Sequence, residues 1–478
     1  MLFNSLVFLV FFPIVFLGNL ALARTAGLRK IFLLAASYFF YAQWDYRFLL
    51  LIWLSTAVDW FVGGALGKTE EQSKRRVLLA ISLIVNLGML ATFKYMDFFI
   101  ESANVLINSI GLQGNIHTLR WILPVGISFY TFQTMSYTLD IYFRKLTPQK
   151  SALDFALFVA FFPQLVAGPI VRARDLLPQL EKNPLPSRAD LSAGTYDILS
   201  GLMKKVLIAD ILGAQLATPF YENPEQYGVF GATAGIYAFA FQIFGDFAGY
   251  SQIAIGCSRL LGYELPKNFD NPFMSRTNLE IWRRWHITLL TWMRDYIYIP
   301  LGGSRGGEKK TYRNIMLTNL CAGVWHGAGI NFVIWGIVNG ITICCSRFYQ
   351  RGRKQRGKVN LSSDSQFKIW SQRAITFHIW ILAMPLFRTD SLADVAEVGR
   401  ALMRFSSPLG NTPDVPLRGV LLLLLAVAMT SCSEYYGNSI RHSWSRLLPE
   451  VQGALFLIFI GMFGLLSVEA TPFIYFQF

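Results

Sequence analysis

The chain has 478 residues, of which 53% are hydrophobic and 15% charged, and its mean hydropathy is +0.40. These values exclude a water-soluble enzyme and indicate helices that use lipid as their solvent. The 43 basic against 29 acidic residues give a net charge of +14, which in such a protein indicates cytoplasmic loops beside anionic lipid rather than a nucleic-acid-binding surface.

A helix needs about 20 apolar residues to cross a bilayer, and loops rich in Lys and Arg stay in the cytoplasm. Residues 2–22 are followed but not preceded by basic residues and lack a cleavage pattern. They predict a retained helix with the N-terminus outside. Alternating loop charge then predicts four more spans, at 31–44, 48–66, 77–100 and 121–143.

Residues 152–171 interrupt this alternation, because they contain Pro163 and Pro169 and are flanked by basic residues on both sides. This pattern predicts a broken or re-entrant helix. Spans are predicted next at 191–220 and 229–261, with Lys204 and Lys205 on a protein-facing or snorkelling stripe.

Residues 279–298 alternate basic and large apolar side chains, which predicts one amphipathic helix along the cytoplasmic interface. Residues 315–346 are apolar with positive charge at both ends, which predicts a hairpin that enters the membrane and returns. At about 1.5 Å per residue, His326 would lie about 15 Å deep.

Three final spans, at 369–387, 419–433 and 454–468, place the C-terminus outside. The sequence therefore predicts an all-α polytopic membrane protein with a single domain over residues 1–478. Its five cysteines have no metal-ligand spacing, so we interpret them as small apolar residues and expect no metal site.

His326 is the strongest candidate for chemistry, since an ionisable side chain deep in a membrane indicates function. A neutral imidazole there can accept a proton from a hydroxyl and so act as a general base for acyl transfer. Gly327 and Gly329 would permit close approach of a substrate. The alternative is a structural histidine bonded to a neighbouring carbonyl.

His286 repeats the Trp-His pattern but falls on the predicted interfacial helix, where it would orient substrate or assist the base. The alternative is a histidine at headgroup level in an aromatic belt. His378 lies in a predicted span without a glycine or charged motif beside it, which favours a structural role.

A basic patch consists of Arg283, Arg284 and Arg294 with the loop 305–313. It could bind the phosphates of a cytoplasmic nucleotide-bearing donor. The alternative is that its charge only follows the positive-inside rule for cytoplasmic loops. Carboxylates also occur in or beside apolar runs, namely Asp59, Asp140, Asp246 and Glu469. Glycines on both sides of Asp246 would let it face a cavity, and pairing with a buried Lys or Arg is the alternative.

Several motifs resemble the membrane-bound O-acyltransferase (MBOAT) family, and particularly its bacterial branch that includes alginate O-acetylation proteins. They are LVAGPI at 165–170, DFAGYS at 246–251, NF at 268–269, NPF at 271–273, WRRWHIT at 282–288, WMRDYIYIPLGG at 292–303 and WHGA at 325–328. Two positions depart from the family pattern, with Gln252 where an acid is common and Asn339 where histidine is frequent.

The resemblance implies an MBOAT-like bundle of about ten or eleven spanning helices with re-entrant and interfacial helices. It puts His326 in the place of the catalytic histidine and His286 in that of a second functionally important polar position. The substrate-binding residues expected around them are Trp282, Arg283, Arg284, Trp285, Arg294, Asp295, Asp246, Tyr250, Trp325 and Asn339.

The function implied is O-acetylation of an extracytoplasmic polysaccharide in the bacterial cytoplasmic (inner) membrane. Acetyl-CoA would be the co-substrate, with no tightly bound cofactor, and the partners would be an extracytoplasmic SGNH-type acetyltransferase and polysaccharide biosynthesis machinery. Two alternatives remain open: D-alanyl transfer from a carrier protein to teichoic acid, and a transporter or flippase using Asp140, Asp246 and Lys204.

Overall fold

The computed structural model describes residues 1–112, 114–355, 365–405, 415–466 and 474, without the side chains of 354, 355, 433–435, 465 and 466. Glu469 lies outside the described residues. Within them, all regular structure is helical, which confirms the all-α fold class. The helices before the centre of the chain are α1 Leu6–Ala21, α2 Ala26–Asp45, α3 Leu49–Lys68, α4 Gln72–Ser109, α5 Ile127–Tyr142, α6 Ala152–Ala160, α7 Phe162–Leu165, α8 Ala173–Lys182, α9 Arg188–Leu202 and α10 Thr218–Glu222. Those after it are α11 Val229–Leu260, α12 Asn278–Arg284, α13 Ile287–Met293, α14 Glu308–His326, α15 Ile330–Gln355, α16 Gln366–Ile381, α17 Met384–Arg388, α18 Leu392–Met403, α19 Leu417–Arg446 and α20 Pro449–Leu466.

The chain forms two compact units. The first contains Met1–Ile198 and Ser251–Pro266 with residues 460–466, and the second contains Leu199–Tyr250 and Lys267–Phe459. All the predicted site residues belong to the second unit. That residues 1–478 act as a single domain stays a prediction.

Three helical stretches of the described chain are long and apolar enough to cross a membrane, at Ala26–Lys68, Gln72–Ser109 and Ile330–Arg353. The bent pair Leu417–Cys432 and Tyr436–Arg446 raises this number to four. The expected ten or eleven spans are not reached on this criterion, because several helices of the described chain are short. The helices α1 and α5 each have 16 residues, fewer than the about 20 that a spanning helix needs.

The first unit confirms the predicted breaks and shortens one predicted span. The helix stops at Asp45, where the backbone is extended, and residues 152–171 are divided into α6 and α7. The predicted span 121–143 begins as a helix only at Ile127. It follows Gly126 at φ 76°, where an added Cβ would lie 2.4 Å from the Leu165 carbonyl oxygen.

The buried carboxylate Asp59 lies in a polar network between α3, α4 and α5. It accepts hydrogen bonds from the Ser82 hydroxyl at 2.5 Å and the Asn86 amide at 3.0 Å, and Ser82 in turn contacts Thr138. Asp140 is also fully buried. Because neutral hydrogen-bond donors surround Asp59, it acts as polar glue between helices.

In the second unit, α14 and α15 form the predicted hairpin. Gly323 and Gly336 make the contact close, since an added Cβ on Gly323 would lie 2.3 Å from the Phe332 carbonyl and one on Gly336 would lie 2.6 Å from the Asn319 carbonyl. At the open end, Glu308 pairs with Arg351. These contacts fix two antiparallel legs with His326 at the closed end.

The predicted single helix over 279–298 is wrong. The chain leaves α12 at Trp285, which is extended, and His286 adopts the left-handed conformation with φ 44° and ψ 51° before α13 begins. Arg294–Tyr298 then continues as a π-helix. Hydrophobic periodicity carries no mark of this break, because apolar side chains continue on both sides of it and neither Gly nor Pro lies between them.

Candidate active site

His326 ends α14 and is only 3% exposed. Three aromatic rings meet its imidazole edge-on, with centroid distances of 4.8 Å to Trp325, 5.0 Å to Trp335 and 5.1 Å to Phe387. We call these four residues the His326 cage. The prediction of a buried histidine is confirmed, and its aromatic walls leave little room for bulk water.

Gly327 does not provide the substrate approach predicted for it. A Cβ at this position would lie 2.0 Å from the Phe332 ring, so that ring already occupies the space. Gly327 is instead needed for tight closure of the hairpin, with an extended backbone at φ −164°. Gly329 has only ordinary contact distances to the same ring.

His286 is 1% exposed, so it lies inside the protein and not on its surface. Its Nδ1 lies 3.1 Å from the Asn268 side-chain oxygen, and its ring contacts Phe247 edge-on at 4.6 Å. Burial lowers the pKa of His286, which lies outside the candidate spans, to about 3. The imidazole is therefore neutral at physiological pH.

The fold brings the two predicted histidines to one indole ring. The Trp325 centroid lies 4.8 Å from that of His326 and 5.9 Å from that of His286. The histidines come from different helical segments, so only the packing of the hairpin against the α12–α13 break creates this arrangement. Two imidazoles in contact with one aromatic ring form the candidate chemical centre of the second unit.

The neighbouring tryptophans support this centre and are themselves buried. Trp282 packs on Trp335 at 5.5 Å, so it contacts the outside of the His326 cage. Trp285 packs on Phe269 at 5.1 Å and on Trp380 at 4.8 Å. Their positions indicate that they shape the site, and Trp285 lies in an aromatic cluster rather than at an open binding surface.

The predicted arginines lie at the surface of the same segment. Arg283 is exposed, and Arg284 pairs with Glu280 at 2.8 Å. Arg294 is 57% exposed in its side chain and pairs with the buried Asp295 at 2.7 Å. They are accessible to an anionic ligand, whereas the histidines are not, so the structure separates a basic surface from a buried centre.

Asp246 follows the alternative interpretation. It is 2% exposed and its carboxylate lies 2.7 Å from the Lys205 ammonium, which also contacts Asp210 at 2.8 Å. The flanking glycines serve helix packing, since a Cβ on Gly249 would lie 2.7 Å from the Gly201 carbonyl. Close approach of these helices brings Lys205 to Asp246.

Tyr250 and Asn339 are buried as well. The Asn339 amide donates to the Trp335 carbonyl one helical turn earlier, at 2.8 Å, so it lies next to the His326 cage without being one of its walls. His378 lies apart from the cage and bonds to Tyr237 and to the Ala374 carbonyl. These contacts agree with the structural role predicted for His378.

Sequence reasoning did not select three residues that the structure places at the site, namely Asn268, Lys205 and Phe387. Asn268 lies within one of the motifs quoted above, which was a usable signal. Lys205 was expected to lie on a protein-facing or snorkelling stripe, and Phe387 ended a predicted apolar span. Nothing in the local sequence marks Phe387 as a neighbour of His326, because only tertiary packing joins them.

Comparison with known proteins identifies similar chains. Residues 144–387 match the membrane-bound O-acyltransferase family. A probable alginate O-acetylase AlgI of Pseudomonas putida is 34% identical, with 100% of both chains covered. A peptidoglycan O-acetyltransferase of Helicobacter pylori is 34% identical over 84% of this chain and 80% of the relative. A teichoic acid D-alanyltransferase of Streptococcus thermophilus is 30% identical over 55% of this chain and 68% of the relative.

Proposed function

Because the chain belongs to the membrane-bound O-acyltransferase family, and so is a membrane enzyme rather than a transporter, we propose that it passes acetyl from cytoplasmic acetyl-CoA to an exported polysaccharide. The observation that carries the proposal is the buried His326 at the closed end of the α14–α15 hairpin. The acetyl group and the polysaccharide class are proposed from the relatives, which are an alginate O-acetylase and a peptidoglycan O-acetyltransferase.

In this reaction His326 is the general base. Its imidazole takes the proton of an acceptor hydroxyl while the hydroxyl oxygen bonds to the thioester carbonyl carbon. The carbon–sulfur bond then breaks, and the CoA sulfur leaves with the proton returned by the imidazolium. The products are an O-acetyl ester and the free thiol of CoA, so atoms and charge balance.

The donor would approach the basic surface formed by Arg283, Arg284 and Arg294. Exposed guanidinium groups suit the phosphates of CoA, which they can bind through paired N–H groups. These arginines share a short segment with His286, so a bound donor would be close to the buried centre. Replacing Arg283 and Arg294 together by glutamine should raise the KM for acetyl-CoA and leave kcat largely unchanged.

The acceptor side would face away from the cytoplasm. We place the protein in the bacterial cytoplasmic membrane with both termini outside, and we assign delivery of acetyl to sugar hydroxyls to an extracytoplasmic partner of the SGNH-hydrolase type. The positive-inside distribution of basic loops supports this orientation. Reaction of a thiol-specific impermeant label with a cysteine placed after Met1 in intact cells would test the position of the N-terminus.

The decisive experiment replaces His326 by alanine in purified protein reconstituted into proteoliposomes. With radiolabelled acetyl-CoA, the SGNH-type partner and an acceptor glycan, we expect ester formation and CoA release to fall at least about a hundredfold. The matched control is His378→Ala, since His378 lies outside the cage, and it should retain most activity. Parental activity in the His326 variant, with its thermal midpoint unchanged, would overturn the proposal.

The same proteoliposomes distinguish the D-alanyl alternative, for which the Streptococcus thermophilus relative provides the motive. The donor is exchanged for a carrier protein charged with D-alanine on its phosphopantetheine thiol. We expect transfer from acetyl-CoA only. Transfer from the charged carrier, without any from acetyl-CoA, would replace acetylation by D-alanylation as the function.

A further inference from the structure

Asn268 is fully buried and makes its contacts with the residues that follow the α12–α13 break. Its side-chain oxygen lies 2.9 Å from the Thr288 hydroxyl, 3.3 Å from the Thr288 amide nitrogen and 3.1 Å from Nδ1 of His286. One amide oxygen therefore receives three polar contacts. This concentration on a single atom determines the hydrogen-bond directions around it.

The Thr288 backbone fixes the orientation of the Asn268 amide. A backbone N–H can only donate, so the Asn268 atom that faces it must be the oxygen, which can only accept. The opposite orientation would place an NH2 group against the Thr288 N–H. Because the same oxygen faces His286, the His286 Nδ1 must carry the proton, and Nε2 is then the basic nitrogen of the neutral ring.

Backbone contacts hold the two segments in register. The Ile287 amide donates to the Asn268 carbonyl at 2.9 Å, and the Asp270 amide donates to the Arg284 carbonyl at 2.8 Å. Between these bonds His286 keeps its left-handed φ of 44°, a conformation that is sterically unfavourable for a residue with a Cβ. The Asn268 segment thus maintains both the backbone and the ring of His286.

We propose that Asn268 is a positioning residue that holds His286 as the tautomer protonated at Nδ1 and basic at Nε2. The inference rests on the proposed acyl-transfer function for its chemical meaning. In this tautomer, the nitrogen turned away from Asn268 accepts a hydrogen bond and cannot donate one. His286 therefore orients the acceptor hydroxyl by accepting a hydrogen bond from it, while His326 takes the proton, since stabilising the carbonyl oxyanion would require a donor.

The direct test is 15N NMR of histidine-labelled protein in detergent or nanodiscs, with the His286 signals assigned by their loss in His286→Asn. We expect a protonated Nδ1 and an unprotonated Nε2 in the parent protein. This measurement does not depend on activity, so it separates the positioning role from the proposed function. A parent protein with its proton on Nε2 would overturn the inference.

Two variants connect the tautomer to catalysis. Asn268→Leu removes the accepting oxygen, and we expect loss of the single tautomer with a fall in kcat of about tenfold or more, below the ~10⁴-fold loss known for a catalytic histidine held in the wrong tautomer. Asn268→Asp keeps accepting oxygens and adds negative charge. It should keep the tautomer and shift the acid limb of the kcat–pH profile to higher pH, because the negative charge favours protonated His286.

Thr288→Val is the matched control. It removes the hydroxyl bonded to the same Asn268 oxygen but leaves the contact to His286, so tautomer and pH profile should stay as in the parent. If Asn268→Leu also leaves both unchanged, Asn268 has no positioning role. If the parent protein shows the expected tautomer while neither it nor any variant transfers acetyl, the proposed function is wrong. In that case the positioning role of Asn268 still holds.

Discussion

Replacing Lys205 by methionine tests whether Asp246 is a structural partner or a substrate ligand. In the structure, both side chains are almost completely buried, at 1% and 3% exposure, and their charged atoms are 2.7 Å apart. Methionine has a similar length but cannot neutralise the carboxylate. The variant therefore leaves the Asp246 charge in a buried site without this cation.

The two single variants, Lys205→Met and Asp246→Asn, should lose different amounts of stability. Removing one member of a buried ion pair costs about 3–5 kcal/mol, because the remaining charge is uncompensated. Asp246→Asn should cost less, about 1–2 kcal/mol, since Lys205 retains Asp210. The Asp210 side chain is 21% exposed and so can reach water, whereas Asp246 cannot. In the double variant the charges are removed together, so its cost should be smaller than the sum of the two.

The measurement is the free energy of unfolding by denaturant titration in detergent micelles, with Lys204→Met as the control on the same helical segment. Lys204 is half-buried, and its ammonium lies 3.5 Å from the Ser200 hydroxyl. Acetyl transfer is measured in parallel. If Lys205→Met is as stable as the parent while Asp246→Asn loses transfer at unchanged stability, Asp246 is a substrate-binding residue, as the sequence predicted.

Two further predictions concern stability. Burial lowers the pKa of His286 to about 3, below the ~6.5 of a free imidazole. The contribution of neutral His286 to the free energy of unfolding is therefore complete above about pH 6.5 and is lost as the pH falls toward about 3. The loss is at most about 1.4 kcal/mol per pH unit. His286→Asn should flatten this acid dependence, and equal slopes in both proteins would contradict the assignment. A Cβ at Gly336 would lie 2.6 Å from the Asn319 carbonyl, so Gly336→Ala should destabilise the hairpin by about 1–3 kcal/mol in the same titration. Gly352→Ala is its control, with nothing within 4 Å, and an equal effect of both would refute the packing argument.

Charge and apolarity predicted the large features of the fold. Positive charge at both ends of residues 315–346 was sufficient to predict the hairpin, because it places both ends on one side of the membrane. Internal prolines similarly predicted the interruption after α6. These signals are local, and the membrane imposes a strong rule on how they must be satisfied.

The arrangement of the site depends on tertiary contacts that the local sequence does not indicate. The left-handed turn at His286 needs the Asn268 segment to stabilise it, and that segment lies before α12. The glycines around Asp246 suggested a cavity, yet Gly249 allows the approach of another backbone. A small residue beside a polar one is consistent with either arrangement, so only the folded chain can distinguish them.

The unequal legs of the α14–α15 hairpin have a consequence for biogenesis. Residues 330–353 of α15 are among the described segments apolar enough to cross a membrane, whereas α14 is not and begins with the charged residues Glu308, Lys309, Lys310 and Arg313. A helix with such polar groups partitions poorly from the translocon into lipid by itself. We therefore expect α14 to remain at the translocon until α15 has been synthesised. The two helices should then insert into the bilayer together. His326 would then reach its cage only late in synthesis, once Phe387 has left the ribosome.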